Sequence, residues 1–245
     1  MTQTTLPPGE GRSVSLSASI RSRQIEGIFP VISEIKVRSD KEGDLLRGRD
    51  PAALAREMAG CPVAGISVVT EPTHFGGSMD LLTTVAAAVP LPVLHKDFIT
   101  SKRQIDESAA AGAAAILLIT AMLEIDQLAR LIDYGRERGL ETLVEAHDRK
   151  EMEKIRQLPF DLMGINNRDI TIFEIDDSDV GRTEDLARFR TGDRLLISES
   201  AISSAKDAKR AGASGADAVL VGTAALKASS VQKFLYELTA VGWPP

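Results

Sequence analysis

Short apolar runs and amphipathic stretches alternate along this chain from about residue 14 to its last helix. The runs are continuous rather than alternating apolar and polar, the pattern of strands buried on both faces. Strands are predicted over 30–36, 64–71, 92–98, 114–119, 141–145, 161–166, 194–199 and 216–222. Helices are predicted between them from start and stop signals. Asp50 before Pro51 is a cap and first-turn proline, and Gly60 a stop. Ser101 caps a helix that Gly112 ends, and Gly139 stops the helix that reaches Arg138. Asp148 with Glu151 resembles a capping box, and Ser203 caps a helix closed by Gly212. The loop Phe75-Gly76-Gly77-Ser78 leads into a helix over 79–88. An acidic loop over 170–179 precedes a helix over 181–189, and the last helix covers 230–239. A further helical pattern over 14–26 precedes the first strand and would serve as a lid or a plug.

Strands alternating with helices imply right-handed crossovers and a parallel sheet. Eight such units in 245 residues are the count of a closed (β/α)8 TIM barrel with a short extra N-terminal helix. The whole chain, 1–245, is then one domain, with 1–12 a flexible tail. An open doubly wound sheet would carry a Gly-rich loop after its first strand, where Lys36-Val37-Arg38-Ser39 stands instead.

Charge and composition narrow the function classes. A net charge of −6 and a pI near 5.2 leave no basic excess for nucleic acid. No apolar run approaches a membrane span, and the polar stretch 1–12 lacks the apolar core of a signal peptide. The single cysteine, Cys61, allows no internal disulfide and fits a cytoplasmic location.

The candidate chemistry sits where the apolar runs end. In a barrel of this kind the active site gathers at the C-terminal strand ends. Those ends carry Lys36, Glu71, Lys96, Glu145, Asn166, Glu199 and Gly222, with Glu34 one inward step before Lys36. Charge at any single strand end can simply meet solvent. A ring of lysines and carboxylates around one mouth instead lets each tune its neighbours for proton transfer. After the last two strands, Ser200-Ala201 and Gly222-Thr223 stand where many barrels hold phosphate. Thr223 to Lys227 would be the short helix of such a site.

Six stretches carry a family resemblance, in order along the chain. They are Ser33-Glu34-Ile35-Lys36; Ser67 to Glu71 with Phe75-Gly76-Gly77-Ser78; Leu94-His95-Lys96-Asp97-Phe98-Ile99; Val144 to Asp148; Gly164-Ile165-Asn166-Asn167-Arg168-Asp169; and Ser198-Glu199-Ser200. On these the chain resembles the indole-3-glycerol-phosphate synthases. The resemblance implies ring closure of 1-(2-carboxyphenylamino)-1-deoxyribulose 5-phosphate with loss of CO2 and water. It implies Lys96 as the acid at the ketone oxygen and Lys36 as a second cation. Glu145 would be the base in dehydration, and Glu34 and Glu199 would hold the lysines and sugar hydroxyls. Asn166 would orient a hydroxyl or Glu145. Phe75, Phe98 and Leu117 would form the aromatic slot. Ser39, Arg168, Ser200, Ala201, Gly222 and Thr223 would contact the phosphorylated substrate. No metal or organic cofactor is implied, and a monomer or weak homo-oligomer is expected.

Two positions depart from the family pattern. Asp40 stands where the first motif usually continues with proline, its charge expected to be offset by Arg38 or Lys41, and Ala201 stands where glycine is usual. If position 201 needs a positive φ, alanine costs about 1 kcal/mol there. The alternatives are a related phosphate-binding barrel with an altered substrate, or a binding or regulatory barrel without catalysis. A Cys/Asp isomerase pair is not suggested, because Cys61 precedes the second strand. His95 is expected to face the helices because it alternates with Lys96, and His147-Asp148 to belong to a cap and loop. Trp243 is expected to pack the last helix down.

Overall fold

The computed structural model describes residues 15–168 and 179–245. Most of the expected acidic loop, the N-terminal tail and Asp169 lie outside the described residues. Eight parallel strands close into a barrel: β1 Val31–Ile35, β2 Gly65–Val69, β3 Val93–Lys96, β4 Ala115–Ile119, β5 Glu141–Ala146, β6 Leu162–Asn166, β7 Leu195–Glu199 and β8 Ala218–Val221. Closure comes from β1, which pairs with β8 through Val31–Val219 and with β2 through Ile32–Gly65. The outer helices are α2 Pro51–Ala59, α4 Met79–Ala88, α5 Lys102–Ala110, α6 Ile125–Glu137, α7 Arg149–Ile155, α8 Gly181–Leu186, α9 Ala205–Ala213 and α11 Val231–Thr239. Two short helices, α3 Pro72–Phe75 and α10 Thr223–Lys227, sit between a strand and its outer helix.

The two-residue period of each strand divides the core in two. Outward residues such as Val31, Ile35, Val68, Ile116 and Val144 pack against the helices. Inward residues form a separate interior cluster that includes Ile32, Leu94, Leu117, Leu143, Leu162, Ile197 and Leu220. Advancing two residues up four of these rows replaces hydrocarbon by an ionisable group: Ile32 by Glu34, Leu94 by Lys96, Leu143 by Glu145 and Ile197 by Glu199.

The helix expected as a lid or plug is α1 Leu16–Ile25, and it is a plug. Leu16 and Ile20 are fully buried within the interior cluster. The Ser19 hydroxyl donates to Ala64 O at 2.5 Å, just before β2, and the Ser17 backbone N–H donates to Glu141 at the start of β5. Both partners mark the N-terminal mouth, opposite the chemistry. A Cβ on Gly65 would lie 2.7 Å from Leu16 Cδ1, so this glycine makes room for the plug.

Several caps follow the sequence and two shift. Asp50 accepts from Ala53 N–H, and Ser101 forms a full capping box with Gln104. Asp148 caps α7, but the Glu151 carboxylate turns to the His147 backbone N–H at 2.8 Å rather than closing a box on Asp148. The cap of α9 is Ser204, not Ser203, whose N–H and hydroxyl both bond Asp207. Gly212 lies inside that helix rather than ending it. A Cβ there would meet Pro245 Cγ at 2.5 Å and Phe29 Cε2 at 2.7 Å, so close packing explains the glycine. Trp243 packs on Phe29 with ring centroids 6.1 Å apart.

Candidate active site

The C-terminal mouth holds a cavity of 520 Å³. Its floor is ionisable and one wall is apolar. Lys96 Nζ lies 3.4 Å from Glu34 Oε2 and 3.8 Å from Glu199 Oε2. Lys36 Nζ lies 3.6 Å from the other Glu34 oxygen, so Glu34 bridges the two ammonium groups. Lys36 also stands 5.7 Å from the Phe75 ring centroid, within cation–π range. Phe75, Phe98, Leu117 and Ile119 line the apolar side.

Two glycines make this floor possible. A Cβ on Gly164 would collide with Glu199 Oε1, and a Cβ on Gly222 would collide with Glu34 Oε1. The barrel thus brings carboxylates inward over positions with no side chain. Among the described residues, Glu34 Oε2 and both carboxylate oxygens of Glu145 and Glu199 are buried without a hydrogen-bond partner. Buried acceptors left open in this way are strained unless a ligand or solvent donates to them.

The charges act on one another. Burial pushes the Lys96 ammonium toward losing its proton, but the charges of Glu34, Glu199 and Glu145 outweigh burial and raise its pKa. Burial, reinforced by the charge of Glu145, drives the Glu199 carboxyl well above the usual carboxylate range, despite the opposing pull of Lys96. Glu145 moves the other way. Burial pushes it up, yet contact with His147 and the charge of Lys96 hold it below its ordinary value. The two carboxyl groups on one floor are thus shifted in opposite directions, an arrangement suited to acid–base work.

The opposite wall carries the anion-binding features. Ser200 and Ala201 take φ values of 66° and 59°, so position 201 does require the left-handed region. They line the cavity with Gly222, Thr223 and Ala224 at the start of α10. Lys41, Arg168 and Lys227 line it too. Asp40 does not line the cavity, and its carboxylate pairs with His74 Nδ1 at 2.9 Å. Arg38 donates to Thr73 O at 2.6 Å.

Of the residues singled out from sequence, Lys36, Glu34, Lys96, Glu145, Asn166, Phe75, Phe98, Leu117, Arg168, Ser200, Ala201, Gly222 and Thr223 line one cavity. Glu199 is fully buried beneath Lys96 and stands behind the lining. Ser39 is also buried behind it, and its hydroxyl accepts from the Glu42 N–H at 3.2 Å. Glu71 is at the rim, where its carboxylate caps α3 by accepting the N–H groups of Thr73, His74 and Phe75. His95 faces the helices, with Nδ1 2.7 Å from the Ser108 hydroxyl.

Sequence reasoning missed Lys41, Lys227 and His147. Lys41 sits in a tight turn and Lys227 ends the short helix α10, and no periodicity reveals that either reaches the cavity. His147 lies two residues beyond Glu145, the inward spacing of a strand, and that spacing was its signal. It is more than part of a cap and loop: its Nε2 lies 3.2 Å from Glu145 Oε1 and its Nδ1 3.1 Å from Glu151 Oε2. Burial pushes the imidazole pKa down, but contacts with the two carboxylates raise it to about 10. Among the described residues no cluster of three or more His, Cys, Asp or Glu is arranged to hold a metal ion.

Comparison with known proteins identifies the family. The family model described as indole-3-glycerol phosphate synthase matches residues 9–238. The indole-3-glycerol phosphate synthase of Pyrococcus furiosus is 47% identical over 84% of this chain and 90% of its own length. That of Thermococcus kodakarensis is 42% identical over 92% of this chain and 97% of its own. That of Nocardioides is 44% identical, covering 86% of this chain and 80% of its own. Among solved structures, 3-hexulose-6-phosphate synthase from Salmonella typhimurium matches with a TM-score of 0.67 over 86% of this chain and 97% of its own. At 13% identity that likeness speaks to the barrel alone. With a family match over nearly the whole length and relatives above 40% identity, this chain belongs to the indole-3-glycerol phosphate synthase family.

Proposed function

We propose that the cavity closes the indole ring of 1-(2-carboxyphenylamino)-1-deoxyribulose 5-phosphate, releasing CO2 and water to give indole-3-glycerol phosphate. The observation that carries this reading is Lys96. It is a partly buried ammonium held between Glu34 and Glu199, at the foot of an apolar slot that faces a left-handed Ser200–Ala201 turn.

The steps follow from that placement. The aromatic ring lies between Phe75, Phe98 and Leu117, with the phosphate at Ser200, Ala201, Gly222 and Thr223. Lys41, Arg168 and Lys227 add positive charge to the phosphate side. The ring carbon bearing the carboxylate attacks the ketone carbon. The carbonyl electrons move to oxygen, which takes a proton from Lys96. Lys36, beside Phe75, attracts the substrate carboxylate until it leaves as CO2 and its bonding electrons restore the aromatic ring. Lys96, reprotonated by way of Glu199, then gives the new hydroxyl a second proton, and it departs as water while the neighbouring carbon loses a proton to Glu145. Asn166 orients Glu145 and the sugar hydroxyl. Glu34 and Glu199 keep Lys96 aimed and return its proton. The raised affinity of Glu199 for a proton suits that last task. The residues present suffice for these proton transfers, so the reaction is written without a metal or organic cofactor. We read the enzyme as cytoplasmic, and as a monomer or weak homo-oligomer.

The test is to incubate the protein with the carboxyphenylamino-deoxyribulose phosphate and follow indole fluorescence. The expected product has lost one CO2 and one water by mass. Intact substrate at high enzyme concentration would refute the reading.

A further inference from the structure

Three side chains form a line that leads away from the cavity: Glu145, His147 and Glu151. Glu145 lines the cavity, whereas His147 stands behind it, near the end of β5, and Glu151 lies in the first turn of α7. The imidazole touches one carboxylate with each ring nitrogen, Glu145 Oε1 at 3.2 Å and Glu151 Oε2 at 3.1 Å. Glu151 is itself fixed, because the same oxygen accepts the His147 backbone N–H at 2.8 Å. Only about a tenth of the His147 side chain is exposed, and 1% of that of Glu145.

We propose that His147 is a positioning residue of the reaction, an imidazolium clamped between Glu145 and Glu151 that keeps Glu145 ionised and directed into the cavity. The inference rests on the reading of Glu145 as the base. A neutral imidazole carries one N–H and can donate to one carboxylate only, whereas the imidazolium presents an N–H and positive charge to both. Nδ1 and Glu151 share a hydrogen bond, and Glu145 stands at ion-pair distance from Nε2 without hydrogen-bond alignment, so two negative charges beside opposite nitrogens select the cation. The other charged groups acting on Glu145 are Lys96 from β3 and Glu199 from β7. Lys96 is shared with Glu34 and Glu199, and it must give up its proton during the reaction. His147 is the cation that stays charged throughout. It acts on Glu145 as a fixed counter-charge, while Glu151 sets its orientation from the helix side.

The inference is tested by His147→Gln and Glu151→Gln against Glu145→Gln, with two readouts. In the first, kcat for His147→Gln falls roughly tenfold to a hundredfold, part of what a general base contributes, with KM near the parent value. The acid limb of its kcat–pH profile moves to higher pH, because losing the cation raises the Glu145 pKa. In the second, the His147 C2–H resonance, assigned by its loss in His147→Gln, shows no midpoint near the ordinary histidine value of 6.5 and stays that of an imidazolium to pH 8. Glu151→Gln brings that midpoint down. An imidazole already neutral at pH 8 in the parent protein overturns the inference even if His147→Gln fails to fold. So does a folded His147→Gln whose acid limb has not moved while Glu145→Gln is inactive. If Glu145→Gln keeps full turnover, the reading of Glu145 as base fails instead.

Discussion

A single methyl group decides whether Glu199 and Glu34 can stand beside Lys96. At Gly164 an added Cβ collides with Glu199, and at Gly222 with Glu34. Gly164→Ala is expected to push Glu199 off Lys96 and lower kcat at least tenfold, while overpacking costs about 1–3 kcal/mol. Steady-state kinetics beside thermal unfolding separate the two effects. Ala201 presents the converse case. At φ 59° it sits where glycine is at ease, so Ala201→Gly should recover up to about 1 kcal/mol of strain, offset in part by chain entropy. Denaturant unfolding measures the balance. His147 makes a pH prediction. Its pKa is raised on folding from 6.5 to about 10, so the folded state holds the proton more tightly. The stability this contributes is complete below pH 6.5 and is lost as pH rises toward 10. Melting temperatures should therefore fall over that window in the parent protein, and fall less in His147→Gln.

At the level of elements, α3 shows how a four-residue helix is held in place. Glu71 accepts from Thr73 N–H at 2.8 Å, His74 N–H at 2.7 Å and Phe75 N–H at 3.3 Å. Burial pushes its carboxyl up, but these three donors hold it below the usual value. Glu71→Ala should cost about 1 kcal/mol of stability, the typical worth of a cap. It should also raise KM by loosening Phe75, which isothermal titration with a substrate analogue can check. The plug works differently. Leu16→Ala removes a fully buried side chain at the far mouth, so it should cost about 2–5 kcal/mol with kcat unchanged at 25 °C. The regular elements were legible because period and caps are local properties: residues 79–88 form a helix with those bounds. The hairpin Arg38–Ser39 with Gly43–Asp44 and the helix α3 were not, because elements of two to four residues carry no period. The shift from Ser203 to Ser204 arose because both serines can cap: the Asp207 carboxylate accepts from both, but the Asp207 N–H donates to the Ser204 hydroxyl.

Over the whole molecule, closing the barrel turns eight separate strand ends into one ring of functional groups. Lys36, Lys96, Glu145 and Asn166 were legible as strand ends before they were legible as neighbours. The distances among them were not, since those depend on register: Asn166 stands opposite Glu199, and Glu145 opposite Gly164. Nor could the sequence tell which ionisable group takes which proton, because burial and neighbouring charge set that in three dimensions. The central claim is that this ring delivers a proton from Lys96 to the ketone oxygen. Single-turnover formation of indole fluorescence in the parent protein and in Lys96→Met tests it most directly. The account predicts rapid product in the parent protein and a rate lower by roughly 10²-fold or more in the variant, with substrate still bound. Full turnover by Lys96→Met would contradict it.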